Sequence, residues 1–207
     1  NKNLDFAVQA AMNGYNAICF DQIGFGERKE TKLRHRWSHT CLDAGFQRIL
    51  IGRTLLGDRV LNVISIIDWL AGKDMYPNSK INIIGHSAGG DTAVYSAALD
   101  ERIDGVIASG CIGRFSDTLM NRKTCIDTVV PSMLKYFEYE DIVAMITPRK
   151  IFAVSGDNDP IYPFDVMDKC MVNVVDLYNL NHASENIMVI KGNGGHEFYP
   201  DKVWTYF

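Results

Sequence analysis

Short apolar, β-branched runs recur along this chain, each bounded by polar or glycine-rich turns. They lie at Asn16–Phe20, Ile81–Gly85, Gly105–Ser109, Ile151–Ser155 and Ile187–Ile190. Runs of this length with few polar interruptions read as strands buried on both faces, the pattern of a parallel sheet. Between them the apolar period changes. Leu56, Val60, Val63, Ile64, Ile67 and Leu70 recur at helical spacing, which predicts a helix with its apolar stripe on the core. A first helix is predicted over Asn3–Met12, and a helix of small residues over Asp91–Leu99. Strand and helix patterns alternate, which is the signature of βαβ units. The predicted fold is therefore α/β: a doubly wound, mostly parallel sheet with helices on both faces, formed by residues 1–207 as one domain. No internal repeat or low-complexity tract interrupts it.

Three of the predicted strands end in polar groups whose chemistry fits together. The run Ile81-Asn82-Ile83-Ile84 leads into Gly85-His86-Ser87-Ala88-Gly89 and then a helix. A serine on such a strand–turn–helix corner stands above the sheet edge, and glycines two residues either side remove side chains that would collide there. Lys150–Ser155 runs into Gly156-Asp157-Asn158-Asp159-Pro160, and Ile187–Lys191 runs into Gly192-Asn193-Gly194-Gly195-His196-Glu197. In an open parallel sheet the carboxyl ends of the strands border the ligand crevice, so Ser87, an aspartate and His196 can meet there. A serine hydroxyl becomes a useful nucleophile when an imidazole takes its proton and a carboxylate holds the imidazole tautomer. Each residue also has a simpler reading: Ser87 as a helix N-cap, Asp157 and Asp159 as turn formers, His196 as a solvated loop histidine. His86 reads as a packing or hydrogen-bonding neighbour rather than a second base.

Taken together, Gly85–Gly90, Gly156–Pro163 and Gly194–Phe198 resemble the α/β-hydrolase superfamily, most closely its dienelactone hydrolase and acetyl xylan esterase-like branch. Further stretches are similar to that branch: Phe20–Glu27 to its strand-four turn, Gly52–Gly57, Ile67–Leu70 and Ala97–Ile103 to helices around the nucleophile strand, and Thr147–Lys150 to the entry of the acid-bearing strand. The resemblance implies Asp159 as the acid, with Asp157 in reserve. It implies the Ala88 N–H as an oxyanion donor. It also implies three strands ahead of the first helix, the third lying between Tyr15–Phe20 and the nucleophile strand and ending in a His-Gly loop with the second oxyanion donor. Nothing here matches that loop, and a lost donor weakens oxyanion stabilisation by roughly 2.7–4 kcal/mol. The expectation is an N-terminally incomplete domain, its sheet completed by a preceding segment or by a second chain. The implied activity is that of a serine esterase on small acyl esters, acetyl esters among them. The rivals are a serine peptidase of the oligopeptidase type and a non-catalytic hydrolase domain.

Composition narrows the partners. A net charge of -4 suggests neither a nucleic-acid nor an anionic-membrane partner, and no apolar run approaches the length of a membrane span. A small-molecule ester remains as the expected ligand, with no cofactor. Five cysteines without framework spacing read as reduced thiols and favour the cytoplasm. Gly24-Phe25-Gly26 lacks the third glycine of a dinucleotide loop and reads as a turn. His35, His39 and Cys41 lack a fourth ligand at a telling spacing, so no metal is expected. Gln22, Trp37, His86 and Phe115 are candidate pocket residues, with Tyr136 and Phe137 near them in the expectation. The long connection at residues 111–147 is the expected lid, because it leaves the sheet beside the nucleophile and returns at the acid strand.

Overall fold

Side-chain alternation along four strands dictates the architecture of the computed structural model, which describes residues 4–29, 40–73, 76–121 and 125–207. Strands β1 (Ile81–His86), β2 (Ile103–Ser109), β3 (Lys150–Gly156) and β4 (Ile187–Gly192) form a parallel sheet in that order. Successive residues point to opposite faces. Ile81, Ile83, Val106, Ala108, Ile151, Ala153, Ile187 and Val189 belong to the larger core. Ile84, Ile107, Phe152, Val154, Met188 and Ile190 belong to a second core on the other face.

The helices cover both faces. Helix α1 (Phe6–Met12) supplies Phe6 to the second core, edge to face with Phe198 at 5.0 Å. Helix α2 (Thr40–Leu50) packs through Cys41 and Ala44 against Ile23 and Leu55. Helix α3 (Leu55–Gly72) starts at Thr54, whose hydroxyl accepts from Gly57 N at 3.0 Å, a cap that satisfies one orphan N–H. Its Leu56, Val60, Val63 and Ile67 enter the larger core, as their spacing predicts. Helix α4 (Ala88–Leu99) is buried continuously from Gly90 to Ala98, and apart from Tyr95 its side chains are small or short enough to pack on every face. Helices α5 (Tyr139–Ala144) and α6 (Phe164–Leu180) complete that layer, and α7 (Pro200–Val203) adds Val203 to the second core.

Differences from the expected elements bear on the site. Helix α4 begins at Ala88 rather than Asp91: Gly89 and Gly90, read as turn residues, are helical, and a side chain at Gly90 would press on Cys111 Sγ at 2.6 Å. Asn16–Phe20, expected as a strand, carries no ladder. The stretch has the composition of a strand, but pairing requires a neighbour, and none of the described strands reaches it. It runs beside β1 across a groove of about 1060 Å³, lined among others by Tyr15, Ile18, Phe20, Ile81 and Ile83. That groove lies where the resemblance implies a further strand. Among the described residues, no helix is long and apolar enough to cross a membrane.

Candidate active site

Ser87 occupies the corner between β1 and α4 with φ 55° and ψ -127°, a conformation that side-chain-bearing residues rarely adopt. Neighbouring contacts hold it there. Its N–H donates to Ser109 O at 2.8 Å, and its carbonyl accepts from Asp91 N at 3.0 Å. Gly85 is required beneath it, because any Cβ there would overlap the Gly89 carbonyl. The Ser87 hydroxyl does not cap α4, which removes the N-cap reading. The Ala88 N–H lies in the first turn of α4, where helical N–H groups have no intrahelical acceptor.

The acid and imidazole come from the ends of β3 and β4. His196 Nδ1 lies 2.7 Å from Asp159 Oδ2, while Asp159 Oδ1 accepts from Ile161 N at 2.7 Å and Tyr162 N at 2.9 Å. Burial pushes the Asp159 carboxyl up, but the hydrogen bonds from His196, Tyr162 and Ile161 outweigh it, and the acid rests below its ordinary value. Asp157 is placed differently. Its side chain is 49% exposed and pairs with Lys191 Nζ at 2.6 Å, whereas that of Asp159 is 1% exposed.

His86 links the two halves. Its ring centroid lies 4.5 Å from that of His196, and its Nδ1 is 3.0 Å from Ser109 Oγ. Burial, reinforced by the adjacent His196, lowers its pKa to about 4. Beneath both rings sits Gly110 (φ 58°), where a Cβ would stand 3.0 Å from the Cε1 of each imidazole. Ser109, Gly110 and Tyr162, whose ring stacks on His196 at 6.5 Å, escape sequence reasoning because each acts through a partner distant in sequence. The sequence sign of Ser109 and Gly110 is their place at the end of β2, whereas Tyr162 lies in the loop between β3 and α6.

The remaining candidates divide. Gln22 reaches the nucleophile corner: Thr92 Oγ1 donates to its Oε1 at 3.3 Å, and its Nε2 lies 3.6 Å from where a Gly89 Cβ would be. Gln22, His86, Gly89 and Thr92 form one end of the groove beside β1. Phe115, expected at the pocket wall, is 6% exposed and sits in the larger core against Tyr139 at 5.5 Å. Tyr136 and Phe137 are exposed. Trp37, His35 and His39 lie outside the described residues. Gly24–Arg28 forms a tight turn: Glu27 N donates to Asp21 Oδ2 at 2.8 Å, and Gly26 (φ 49°) is packed against that carboxylate.

Comparison with known proteins bears on the fold. A family model described as the alpha/beta hydrolase fold matches residues 1–142. A curated Bacillus subtilis (strain 168) protein, "Putative hydrolase YtaP", is 24% identical over 200 residues, which cover 94% of this chain and 64% of that protein. Among solved structures, a "putative acetyl xylan esterase" from Bacteroides fragilis superposes with TM-score 0.72 at 18% identity, covering 91% of this chain and 49% of the other. A glucuronoyl esterase from Solibacter usitatus gives TM-score 0.60 at 15% identity, covering 74% and 46%. The chain thus spans 64% of the curated relative's length and about half the length of these solved structures.

Proposed function

We propose, for a chain that belongs to the α/β-hydrolase fold family, a serine hydrolase that cleaves carboxylic esters through Ser87, His196 and Asp159. The observation that carries this reading is the His196–Asp159 pair beside His86, whose next residue is the strained, uncapped Ser87. With Nδ1–H donated to Asp159, His196 keeps Nε2 as an acceptor for the serine proton. Ser87 Oγ attacks the ester carbonyl as His196 Nε2 takes that proton. The proton then passes to the leaving alkoxide, and an acyl-enzyme remains. Water, deprotonated by the same nitrogen, releases the acid and restores the serine. The Ala88 N–H stabilises the tetrahedral oxyanion. Asp159, ionised and fully hydrogen-bonded, stabilises the imidazolium that forms in each half-reaction. His86 stays neutral at working pH, so the positive charge of the reaction is confined to His196.

The substrate class proposed is a small acyl ester, an acetylated carbohydrate among them. The kinship of fold with esterases of carbohydrate substrates supports it. The connection at residues 111–147 is proposed to shape the choice of alcohol, since Met120, Leu134, Tyr136 and Phe137 expose large apolar surface there. The test is p-nitrophenyl acetate hydrolysis by the chain and by Ser87→Ala, with circular dichroism establishing that both are folded. Turnover should fall at least ~10³-fold in the variant. Equal rates in the two folded proteins would overturn the reading.

A further inference from the structure

Away from the site, two cysteines 84 positions apart meet. Cys41 Sγ, in the first turn of α2, lies 2.8 Å from Cys125 Sγ, at the head of the Ile126–Thr128 turn. That is closer than the ~3.5–4 Å of ordinary nonbonded heavy-atom contact. The backbones are pressed together around the pair: a Cβ on Gly45 would overlap the Ile126 side chain, and one on Gly24 would stand 3.2 Å from Cys41 Cα. The Asp127 carboxylate completes a cluster of three potential ligands. Its Oδ2, however, is held by the buried Arg59 at 3.0 Å, and Arg59 also donates to Ile23 O at 3.0 and 3.2 Å. Two thiolates on one tetrahedral zinc stand about 3.8 Å apart, given Zn–S bonds of about 2.3 Å. The sulfurs are too close, and the carboxylate too engaged, for a metal to be the better occupant.

We infer that Cys41 and Cys125 are a disulfide-forming pair, joined when the protein meets a small-molecule disulfide such as glutathione disulfide. The step balances. One protein sulfur attacks the glutathione disulfide, forming a mixed disulfide and expelling one glutathione thiol. The second protein sulfur then displaces the other glutathione, so two protein thiols are oxidised and one glutathione disulfide is reduced to two thiols. Burial, and next the hydrogen bond with Cys41, hold the Cys125 thiol above its ordinary value. The bond ties α2 to the Ile126–Thr128 turn. Through Asp127, Arg59 and Ile23 O, that turn anchors the loop bearing Gln22 at the mouth of the groove. The remaining cysteines do not compete for the partner: Cys111 and Cys170 are buried in the larger core, and Cys19 lies on the groove.

The experiment treats the folded chain with glutathione disulfide, blocks remaining thiols with N-ethylmaleimide and digests with trypsin without reduction. The expected product is the peptide Trp37–Arg48 linked to Thr124–Lys135, with a mass loss of about 2 Da. Oxidation should raise Tm by roughly 5–10 °C, reversibly with dithiothreitol. Cys125→Ser should abolish the linked peptide and the shift while keeping esterase turnover, and Cys41→Ser should do the same. Recovery of both peptides alkylated, or of each carrying glutathione, would overturn the inference. So would protection of both thiols by added zinc with no link formed.

Discussion

The two sides of strand β1 are built differently. Towards β2 it is laddered from Ile81 to His86, and the ladder continues through β3 to β4. Away from β2, no strand among the described residues pairs with it, and its edge faces the groove and the extended Tyr15–Phe20. The chemistry follows the same division. Asp159 and His196 stand at the ends of laddered strands, with both carboxylate oxygens engaged. The groove side presents Gln22 and a wall where Ile18 and Phe20 are exposed. General-base chemistry needs fixed geometry, and paired strand ends supply it. The Ala88 N–H, proposed above as an oxyanion donor, stands at the head of α4, where helical N–H groups have no intrahelical acceptor.

The sharpest way to break this comparison is at the acid. Asp159→Asn should lower kcat about 10⁴-fold with little change in fold, because the amide no longer favours the Nδ1–H tautomer of His196. Asp157→Asn, whose partner is a solvent-exposed lysine, should change kcat less than about threefold. Steady-state kinetics on both variants decides. An equal loss in the two would mean that the buried hydrogen bond is not what orients the imidazole.

Next in size is a difference in local stability across β1. Amide hydrogen exchange followed by mass spectrometry should show residues 15–20 exchanging at least ~10³-fold faster than β2 and β3, since the former have no ladder and the latter are buried in mid-sheet. Comparable protection in the two regions would mean that the groove is closed in solution and that the two sides of β1 are not different.

This difference also explains what was legible in the sequence. Strands β1 to β4 were, because each is a short, dense apolar run that contributes to the core on both faces of the sheet, and pattern alone identifies such runs. Asn16–Phe20 has the same pattern and is not a strand, because a ladder depends on a partner that no local pattern reveals. Glycine-rich turns after apolar runs mark Ser87 and His196 as candidates, and the structure places both just past strand ends. Asp157 and Asp159 were not separable by residue type: the family resemblance favoured the second, and burial against exposure separates them in space. Residue type leaves Phe115 open to a pocket or a core, because aromatic residues serve both, and the structure buries it in the larger core. Sequence proximity groups Cys41 with His35 and His39, whereas the structure sets it against Cys125, a contact across 84 positions that spacing rules do not reach.

The smallest effect concerns His86, at the junction of the two sides, and its sign follows from linkage. In the unfolded chain this imidazole takes up a proton as pH falls through about 6.5, whereas in the folded protein it does so only near pH 4. Between those values the unfolded state binds more protons, so stability declines as pH falls; below about 4 this group adds no further loss. Allowing for its partial exposure, the loss amounts to roughly 1–2 kcal/mol, or about 4 °C in Tm. Asp159, held below its ordinary value, acts in the same direction but only at still lower pH. His86→Gln keeps a hydrogen-bonding partner for Ser109 and cannot take up a proton, so its Tm should fall less than the parent's between pH 7 and 4.5. Parallel thermal melts at those two pH values measure the difference. An identical decline would locate the acid sensitivity elsewhere and leave His86 as a packing residue between the two sides of the strand.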